Sequence, residues 1–289
     1  MKQADAPAQK PVDLPPQRRF GLIGHPVAGS FSPRLFEAAY GGRYAYDLIE
    51  GAEFGTSWQR FLDGYAGINI TAPFKQDAFR AVHVLSDDAC LCGAVNLAVK
   101  TPSGIVGHNT DVAGVLLAVR EALGLPVIPS ATPSVIPGSI GKLSNPAGGC
   151  TPVTGIPSLR DALVVGCGGA GRAAAVAALR LGCSVTLANR TPARAAGLAT
   201  DLGCDWIPVD DLPALSPDLV IYTVPGPMES LPAFRNAVIL EANYRTPCLQ
   251  GCGKAYISGL RWLLYQAVAG YEIFTGETPD ADAMFRIFC

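Results

Sequence analysis

Residues 161–181 read DALVVGCGGAGRAAAVAALRL, and this stretch decides the fold. The apolar run 162–165 predicts a buried strand, and the alanine-rich run Arg172–Leu181 predicts a helix. Between them lies the pattern G-x-G-x-x-G, from Gly166 to Gly171. A strand, a glycine turn and a helix in this order are typical of a dinucleotide site, where a pyrophosphate lies at the helix N-terminus. A glycine-rich turn without a ligand is the alternative, but the flanking elements favour binding.

The glycines of this loop each meet a separate requirement. The first permits the tight turn, the second lets a pyrophosphate approach the backbone, and the third allows the helix to pack closely on the strand. The residues expected to contact the dinucleotide here are Gly166, Gly168, Gly169, Ala170 and Gly171.

The end of the next predicted strand, Ser184–Ala188, indicates which dinucleotide is bound. An NAD site usually has an Asp or Glu there for the ribose hydroxyl, but residues 189–194 read NRTPAR and contain no carboxylate. Two arginines and a threonine hydroxyl suit a 2′-phosphate, which favours NADP over the alternative of a strand end with solvated arginines. The expected contacts are Asn189, Arg190, Thr191 and Arg194.

Strand-like and helix-like segments alternate from Arg19 onward, which predicts an α/β fold with a parallel sheet around the glycine loop. The other predicted strands are Phe20–Gly24, Tyr44–Ile49, Ile68–Thr71, Val95–Lys100, Ile105–Asn109, Asp218–Thr223 and Ala237–Ala242. The other predicted helices are Ser32–Tyr40 and Asp111–Leu123. Residues 101–104, TPSG, predict a hairpin turn between two of these strands.

Two segments lack such patterns. The 32 residues 126–157 contain seven prolines, five glycines and a single charge, which predicts a loop or linker. Residues 1–18 are polar and rich in proline without an apolar core, so we expect a disordered lead-in rather than a secretory signal.

Composition excludes several functions. The chain is 49% hydrophobic and 16% charged, with a net charge of −2 and no basic run, so no nucleic-acid partner is expected. No apolar stretch approaches the ~20 residues that span a bilayer. The nine cysteines form no C-x-x-C pair and do not cluster with histidines, which argues against a metal site and favours a reducing cytoplasm.

Two motifs outside the glycine loop carry polar side chains. In Gly29–Pro33 (GSFSP), Ser32 suits a helix N-cap and Pro33 the first helical residue. The hydroxyls of Ser30 and Ser32 at the positive end of a helix also suit an anion. In residues 69–75, NITAPFK, the side chains of Asn69 and Thr71 share one face of a strand. Lys75 follows that strand.

With these motifs the chain resembles the shikimate dehydrogenase family. The matching patterns are S-x-S-P at 30–33, N-x-T-x-P-[FY]-K at 69–75, G-A-x-N at 93–96, N-T-D at 109–111, G-x-G-G-A at 166–170, N-R-T-x-x-R at 189–194 and the spacing from Gly259 to Gln266. They occur in family order and cover the chain from about Phe20 to the C-terminus. The resemblance is therefore far more specific than any single motif.

The resemblance implies a discontinuous substrate-binding domain, 19–110 with 260–289, and a Rossmann-type NADP-binding domain, 111–259, that carries the insertion 126–157. It implies that NADP is used to interconvert shikimate and 3-dehydroshikimate. The implied contacts to the substrate carboxylate are Ser30, Ser32 and Tyr244. The implied contacts to the ring hydroxyls are Asn69, Thr71, Asn96, Asp111 and Gln266, and Gly259 is expected beside the cofactor.

The chemistry fits two of these residues. Oxidising a secondary alcohol releases a hydride, which a nicotinamide accepts, and a proton, which the protein must accept. Lys75 suits the acid/base, and Asp111 suits a partner that orients it, because a carboxylate favours the charged amine rather than activating it. A protein that merely binds a dinucleotide would need neither residue.

Some positions depart from the family pattern and leave the substrate open. Glu241 stands where the family usually has Asp, and Trp262 replaces a common methionine. A quinate or dual quinate/shikimate dehydrogenase, using NAD, is therefore the nearest alternative. We expect a monomer or a homodimer.

Overall fold

The computed structural model describes residues 18–127, 135–136, 159–229 and 231–289, and it contains two separate β-sheets. The predicted lead-in lies outside the described residues apart from Arg18. Of the predicted insertion 126–157, only residues 126–127 and 135–136 are described. Arg18 itself donates to the carbonyls of Phe274 and Thr275, at 2.5 and 3.3 Å.

The first sheet is formed by residues before the insertion and two residues within it. Its strands are β1 (Arg19–Gly24), β2 (Ala45–Glu50), β3 (Gly67–Ile70), β4 (Val84–Ser86), β5 (Leu97–Thr101), β6 (Gly104–His108) and β7 (Val135–Ile136), in the order β2-β1-β3-β5-β6-β4-β7. Its helices are α1 (Ser32–Tyr40), α2 (Phe54–Gly64), α3 (Lys75–Ala81) and α4 (Asp87–Cys92). Strands β1, β2 and β3 run parallel, and β5 and β6 form the predicted antiparallel hairpin.

The second sheet is entirely parallel. Its strands are β8 (Asp161–Val165), β9 (Ser184–Ala188), β10 (Asp205–Ile207), β11 (Leu219–Tyr222), β12 (Val238–Glu241) and β13 (Ala255–Ser258). The order β10-β9-β8-β11-β12-β13 reverses direction at β8, as in a doubly wound dinucleotide fold. The predicted α/β fold class is confirmed.

The remaining α-helices in the described residues are α5 (Asp111–Ala122), α6 (Gly169–Arg180), α7 (Pro192–Leu202), α8 (Gly259–Thr275) and α9 (Ala281–Phe285). Helix α9 packs against α1 of the first sheet, and α5 and α8 connect the two sheets. Helix α5 packs against both α6 and α8. Helix α8 contributes Trp262 to the core around α6, and Tyr271 and Phe274 to the aromatic core around Phe20 and Phe36. Each such buried side chain contributes roughly 1.5–3 kcal/mol, so α5 and α8 hold the two sheets in one arrangement.

Two local expectations were wrong. No strand was expected in 126–157, yet Val135–Ile136 pairs with β4 at the edge of the first sheet; a strand of two residues is too short to show a periodicity. Ser32 was expected to be the N-cap of α1, but it is the first helical residue. Its N–H instead donates to the hydroxyl of Ser30 at 3.2 Å, so the preceding serine satisfies this helix end. Within the described residues, no helix is long and apolar enough to cross a membrane.

Candidate active site

Lys75 and Asp111 form an ion pair where the two sheets meet. The Nζ of Lys75 donates to Oδ2 of Asp111 at 2.5 Å, and their side chains are 19% and 12% exposed. Lys75 begins α3 and Asp111 begins α5, so each side chain stands at the start of a helix. Most of the surface of both side chains is therefore shielded from bulk water.

Lys75 also lies beside the glycine loop of the second sheet. A Cβ built on Gly169 would lie 3.4 Å from Cδ of Lys75. The backbone carbonyl of Lys75 accepts the N–H of Val95 at 2.9 Å, which fixes the start of α3 against the first sheet. The lysine therefore reaches the dinucleotide loop from a rigid position.

The start of α5 is held by the side chains of Asn96 and Asn109. Asn109 accepts the N–H of Asp111 at 3.2 Å and donates to the carbonyl of Ala94 at 3.0 Å. Asn96 accepts the N–H of Thr110 at 2.8 Å and donates to its hydroxyl at 3.1 Å. Most of the hydrogen-bonding capacity of Asn96 is thus used to orient Asp111, leaving one amide hydrogen for a ligand.

The side chain of Asn69 is held by Tyr46, a residue that was not predicted from the sequence. The hydroxyl of Tyr46 donates to Oδ1 of Asn69 at 2.7 Å, and Asn69 is only 7% exposed. The same hydroxyl lies within hydrogen-bonding reach of the side chains of Ser32 and Tyr271, and burial raises the pKa of Tyr46 well above its usual value. Because Tyr46 occupies Oδ1 and Nδ2 donates to the carbonyl of Asn96 at 3.5 Å, Asn69 has one amide N–H left as a donor.

The remaining predicted substrate contacts lie around this network. The Ser30 hydroxyl donates to the Ser32 hydroxyl at 3.1 Å. Gln266, on α8, lies 3.4 Å from the Thr110 hydroxyl, so it returns to the first sheet as expected. Thr71 follows β3 directly and is half-buried. The Tyr244 ring lies 6.0 Å from the Phe31 ring and does not join the network, although it borders the serine loop.

The glycine loop has the shape that a pyrophosphate requires. Gly166 has φ +102, which disfavours a side chain, and a Cβ on Gly171 would overlap the carbonyl of Gly166. No described atom lies within 4 Å of a Cβ built on Gly168, so the space in front of that residue is open at the N-terminus of α6. These residues fit a dinucleotide phosphate. At Gly259 a Cβ would overlap the carbonyl of Ala242, so this glycine is required by close packing.

The segment after β9 presents two exposed arginines. Arg190, Thr191 and Arg194 are exposed beside the loop. Asn189 is partly used inside the protein, because it accepts the N–H of Cys167 at 3.2 Å and donates to the carbonyl of Thr191 at 3.0 Å. It ties the strand end to the glycine loop and leaves the arginines free to contact a phosphate.

His108 and Cys92 lie near the ion pair but are uncharged. Nδ1 of His108 is buried with no hydrogen-bond partner among the described residues, and burial lowers the pKa of His108 to about 4. Burial, followed by the charges of Asp88 and Asp111, raises the pKa of Cys92. At neutral pH the charge at this point of the site therefore belongs to Lys75 and Asp111.

A doubly wound dinucleotide sheet whose glycine loop faces a lysine–aspartate pair defines a dinucleotide-dependent oxidoreductase. The family model described as "Shikimate dehydrogenase substrate binding domain" matches residues 22–98. The chain is 35% identical to the shikimate dehydrogenase (NADP(+)) of Acidiphilium cryptum, over 93% of this chain and 95% of that protein. It belongs to the shikimate dehydrogenase family.

Solved structures agree with that assignment. The shikimate 5-dehydrogenase of Thermus thermophilus, in complex with NADP(H) and shikimate, superposes with a TM-score of 0.74 at 27% identity, covering 93% of this chain and 98% of that one. The quinate dehydrogenase of Corynebacterium glutamicum, in complex with NAD, superposes with a TM-score of 0.71 at 25% identity, covering 94% and 98%.

Proposed function

We propose that this protein is an NADP-dependent dehydrogenase that reversibly oxidises shikimate to 3-dehydroshikimate. The observation that carries the proposal is the contact of Lys75 with Asp111 at 2.5 Å, directly beside the glycine loop. A protein that only bound a dinucleotide would not need a half-buried ion pair facing the loop. Relatives named for both shikimate and NADP support the same reaction.

NADP, when bound, supplies the hydride acceptor for the oxidation and the hydride donor for the reduction. Lys75 handles the proton: as a neutral amine its Nζ takes the proton of the reacting hydroxyl during oxidation, and as an ammonium it returns that proton during reduction. Asp111 keeps Nζ aimed at that hydroxyl and accepts a hydrogen bond itself. The bonds from Asn109 and Asn96 to the start of α5 hold Asp111 in place during this exchange.

Binding of the substrate follows from the polarity of the network. Ser30 and Ser32 offer hydroxyl donors to a carboxylate, with Tyr244 at their edge. The amide of Asn69 offers one N–H to a ring hydroxyl, because Tyr46 occupies its oxygen and the carbonyl of Asn96 accepts its other N–H. Thr71, Asn96 and Gln266 complete the contacts to the ring hydroxyls.

Arg190 and Arg194 support NADP over NAD. Both guanidinium groups are exposed at the end of β9, where a dinucleotide places the 2′ position of its adenosine ribose. Paired arginine donors recognise a phosphate there and gain nothing from a bare hydroxyl.

Quinate oxidation is the second candidate, because the solved quinate dehydrogenase has a similar fold. Quinate differs from shikimate by a hydroxyl on the carbon that carries the carboxylate. Two serines, rather than smaller side chains, line the carboxylate end of this site and favour shikimate.

We infer a cytoplasmic enzyme that works as a monomer or homodimer. The thiols of Cys92, Cys167 and Cys183 are buried and pack as small apolar side chains, which supports a reducing compartment. Light scattering at several protein concentrations distinguishes the monomer from the homodimer.

The test is the change in absorbance at 340 nm when the purified protein meets shikimate or quinate with NADP+ or NAD+. We expect the highest kcat/KM with shikimate and NADP+, and consumption of NADPH with 3-dehydroshikimate. No NADPH formation from either acid would contradict the proposal. A higher kcat/KM with quinate would favour the second candidate.

A further inference from the structure

The loop after β12 reaches across from the second sheet to the serine loop of the first. Nη2 of Arg245 donates to the carbonyl of Gly29 at 3.1 Å, directly before Ser30. Beside it, the Tyr244 ring lies 6.0 Å from the Phe31 ring. An exposed guanidinium therefore contacts the residue that directly precedes Ser30, in the loop whose two hydroxyls are expected to hold a carboxylate.

Several hydrogen bonds keep this arginine in position. Nδ2 of Asn243 donates to the carbonyl of Thr246 at 2.9 Å, and Oδ1 of Asn243 accepts the N–H of Thr246 at 3.3 Å, so the two residues flanking Tyr244 and Arg245 are joined directly. The loop is thus a short closed turn that presents Arg245 at its tip.

A buried carboxylate anchors the far end of the same loop. Glu241 is fully buried and accepts the N–H groups of Cys248 and Leu249 at 2.8 and 3.1 Å, and the hydroxyl of Tyr256 at 3.0 Å. This is the position at which the family usually has Asp. The glutamate fixes where the loop turns back, so the approach of Arg245 to Gly29 costs little additional ordering.

A cation at the carboxylate end of the site would add a charged hydrogen bond to those of the serine hydroxyls. Ser30 and Ser32 are neutral donors, and the nearby Lys75 is already paired with Asp111. Arg245 uses one of its five N–H groups on the Gly29 carbonyl, and no other described residue accepts from the remaining four. These donors are available to a carboxylate that lies against the serine loop.

We propose that Arg245 is a specificity-determining residue that binds the substrate carboxylate from across the cleft. The carboxylate is then held by hydroxyls of the first sheet and by a guanidinium of the second, so an acid joins the two halves and a neutral ester does not. This inference rests on the proposed function, since it concerns the carboxylate of the same substrate.

The test compares shikimate with methyl shikimate, which lacks the charge, as substrates with NADP+. Arg245→Ala should lower kcat/KM for shikimate about tenfold, the loss of one charged hydrogen bond at a partly solvated site. It should leave kcat/KM for the methyl ester within about twofold, and Arg245→Lys should keep most of the activity on the acid. If ester turnover is too slow to measure, its competitive inhibition constant against shikimate replaces kcat/KM.

Arg235→Ala is the matched control. Arg235 is exposed on the same half of the molecule, but it precedes the amino end of β12, whereas Arg245 follows the carboxyl end. Arg235→Ala should leave kcat/KM unchanged for both shikimate and methyl shikimate. Equal losses on acid and ester in Arg245→Ala would overturn the inference, because Arg245 would then only join the two loops. A wild-type protein that oxidises neither compound would instead overturn the proposed function, and the inference with it.

Discussion

Replacing Tyr46 by phenylalanine tests whether the hydrogen bond from the Tyr46 hydroxyl orients the side chain of Asn69. The change removes one hydroxyl and keeps the ring in the aromatic core, where it packs on Phe36. Oδ1 of Asn69 then loses its 2.7 Å donor while the side chain stays 7% exposed. A buried acceptor left without a partner costs about 1–3 kcal/mol. For a chain of this size that lowers Tm by about 2–5 °C.

The same change should weaken substrate binding. Without the Tyr46 hydroxyl, the amide of Asn69 is free to turn its oxygen toward the pocket, where a donor is expected. We therefore predict that KM for shikimate rises about tenfold while kcat falls by less than about threefold, the loss of one well-oriented hydrogen bond. Steady-state kinetics at 340 nm and thermal unfolding measure both quantities.

Tyr44→Phe is the control for this prediction. Its hydroxyl donates to Oε1 of Glu277 at 2.6 Å, but that carboxylate is exposed, so water replaces the lost donor. Unfolding free energy should change by less than about 0.5 kcal/mol, and KM should stay at the wild-type value. A Tyr46→Phe protein with wild-type Tm and wild-type KM would refute the reasoning. A fall in kcat at constant KM would mean that Tyr46 acts on the chemistry.

Three further predictions follow from the site. Asp111→Asn keeps the side-chain size but should lower kcat about a hundredfold, because Lys75 loses its orienting partner; stopped-flow turnover measures this, and wild-type kcat would exclude the role of Asp111. Arg190→Ala and Arg194→Ala should each raise Kd for NADP+ about tenfold and leave Kd for NAD+ unchanged in calorimetric titrations; equal changes for both dinucleotides would point to a general structural effect. Burial lowers the pKa of His108 to about 4, so between about pH 6.5 and pH 4 the unfolded state binds a proton that the folded state does not. The contribution of neutral His108 to the free energy of unfolding is therefore fully present above pH 6.5 and is lost as the pH falls toward 4. As the pH falls from 6.5 to 4, the unfolding free energy of wild type should therefore drop by about 3 kcal/mol more than that of His108→Phe. Urea titrations at several pH values measure this difference, and a difference that does not change with pH would contradict the shift.

The inner strands of the doubly wound sheet could be predicted because they are apolar runs, whereas the edge strands β10 and β13, which read DWI and AYIS, were not predicted because they are short and partly polar. In the segment 161–181 the apolar run, the glycine turn and the alanine-rich run each indicate the element that the structure has there, so the local signals agree with the fold. By contrast, α3 begins at Lys75 and has only seven residues. A helix so short carries too little periodicity to be recognised, and it forms because Phe74 and Ala78 pack into the core beside β3.

The pairing of Lys75 with Asp111 could be predicted, but the residues that position the two side chains could not. Lys75 and Asp111 belong to the motifs at 69–75 and 109–111, which match the family patterns in order and spacing. Tyr46 contacts Asn69 only because β2 and β3 both lie beside β1, and nothing local to Tyr46 indicates that neighbour. Arg245 contacts Gly29 across 216 residues of sequence. Contacts of this kind depend on the final topology and leave no pattern in either segment.

The domain boundaries at 110/111 and 259/260 stay a prediction. They fall at the starts of α5 and α8, the two helices that pack on each other between the sheets. Because α8 contributes side chains to cores on both sides and α5 packs on it, a hinge at this point would have to move the two helices together.

The most direct test of the account is kcat for Lys75→Ala, set against the affinity of the same variant for shikimate in its complex with NADPH. If Lys75 moves the proton, kcat should fall about a thousandfold, the typical contribution of a positioned acid/base. Kd for shikimate should change by less than about threefold, because other residues hold the carboxylate and the ring hydroxyls. A variant that keeps kcat within about threefold of wild type would contradict the assignment of Lys75 as the acid/base.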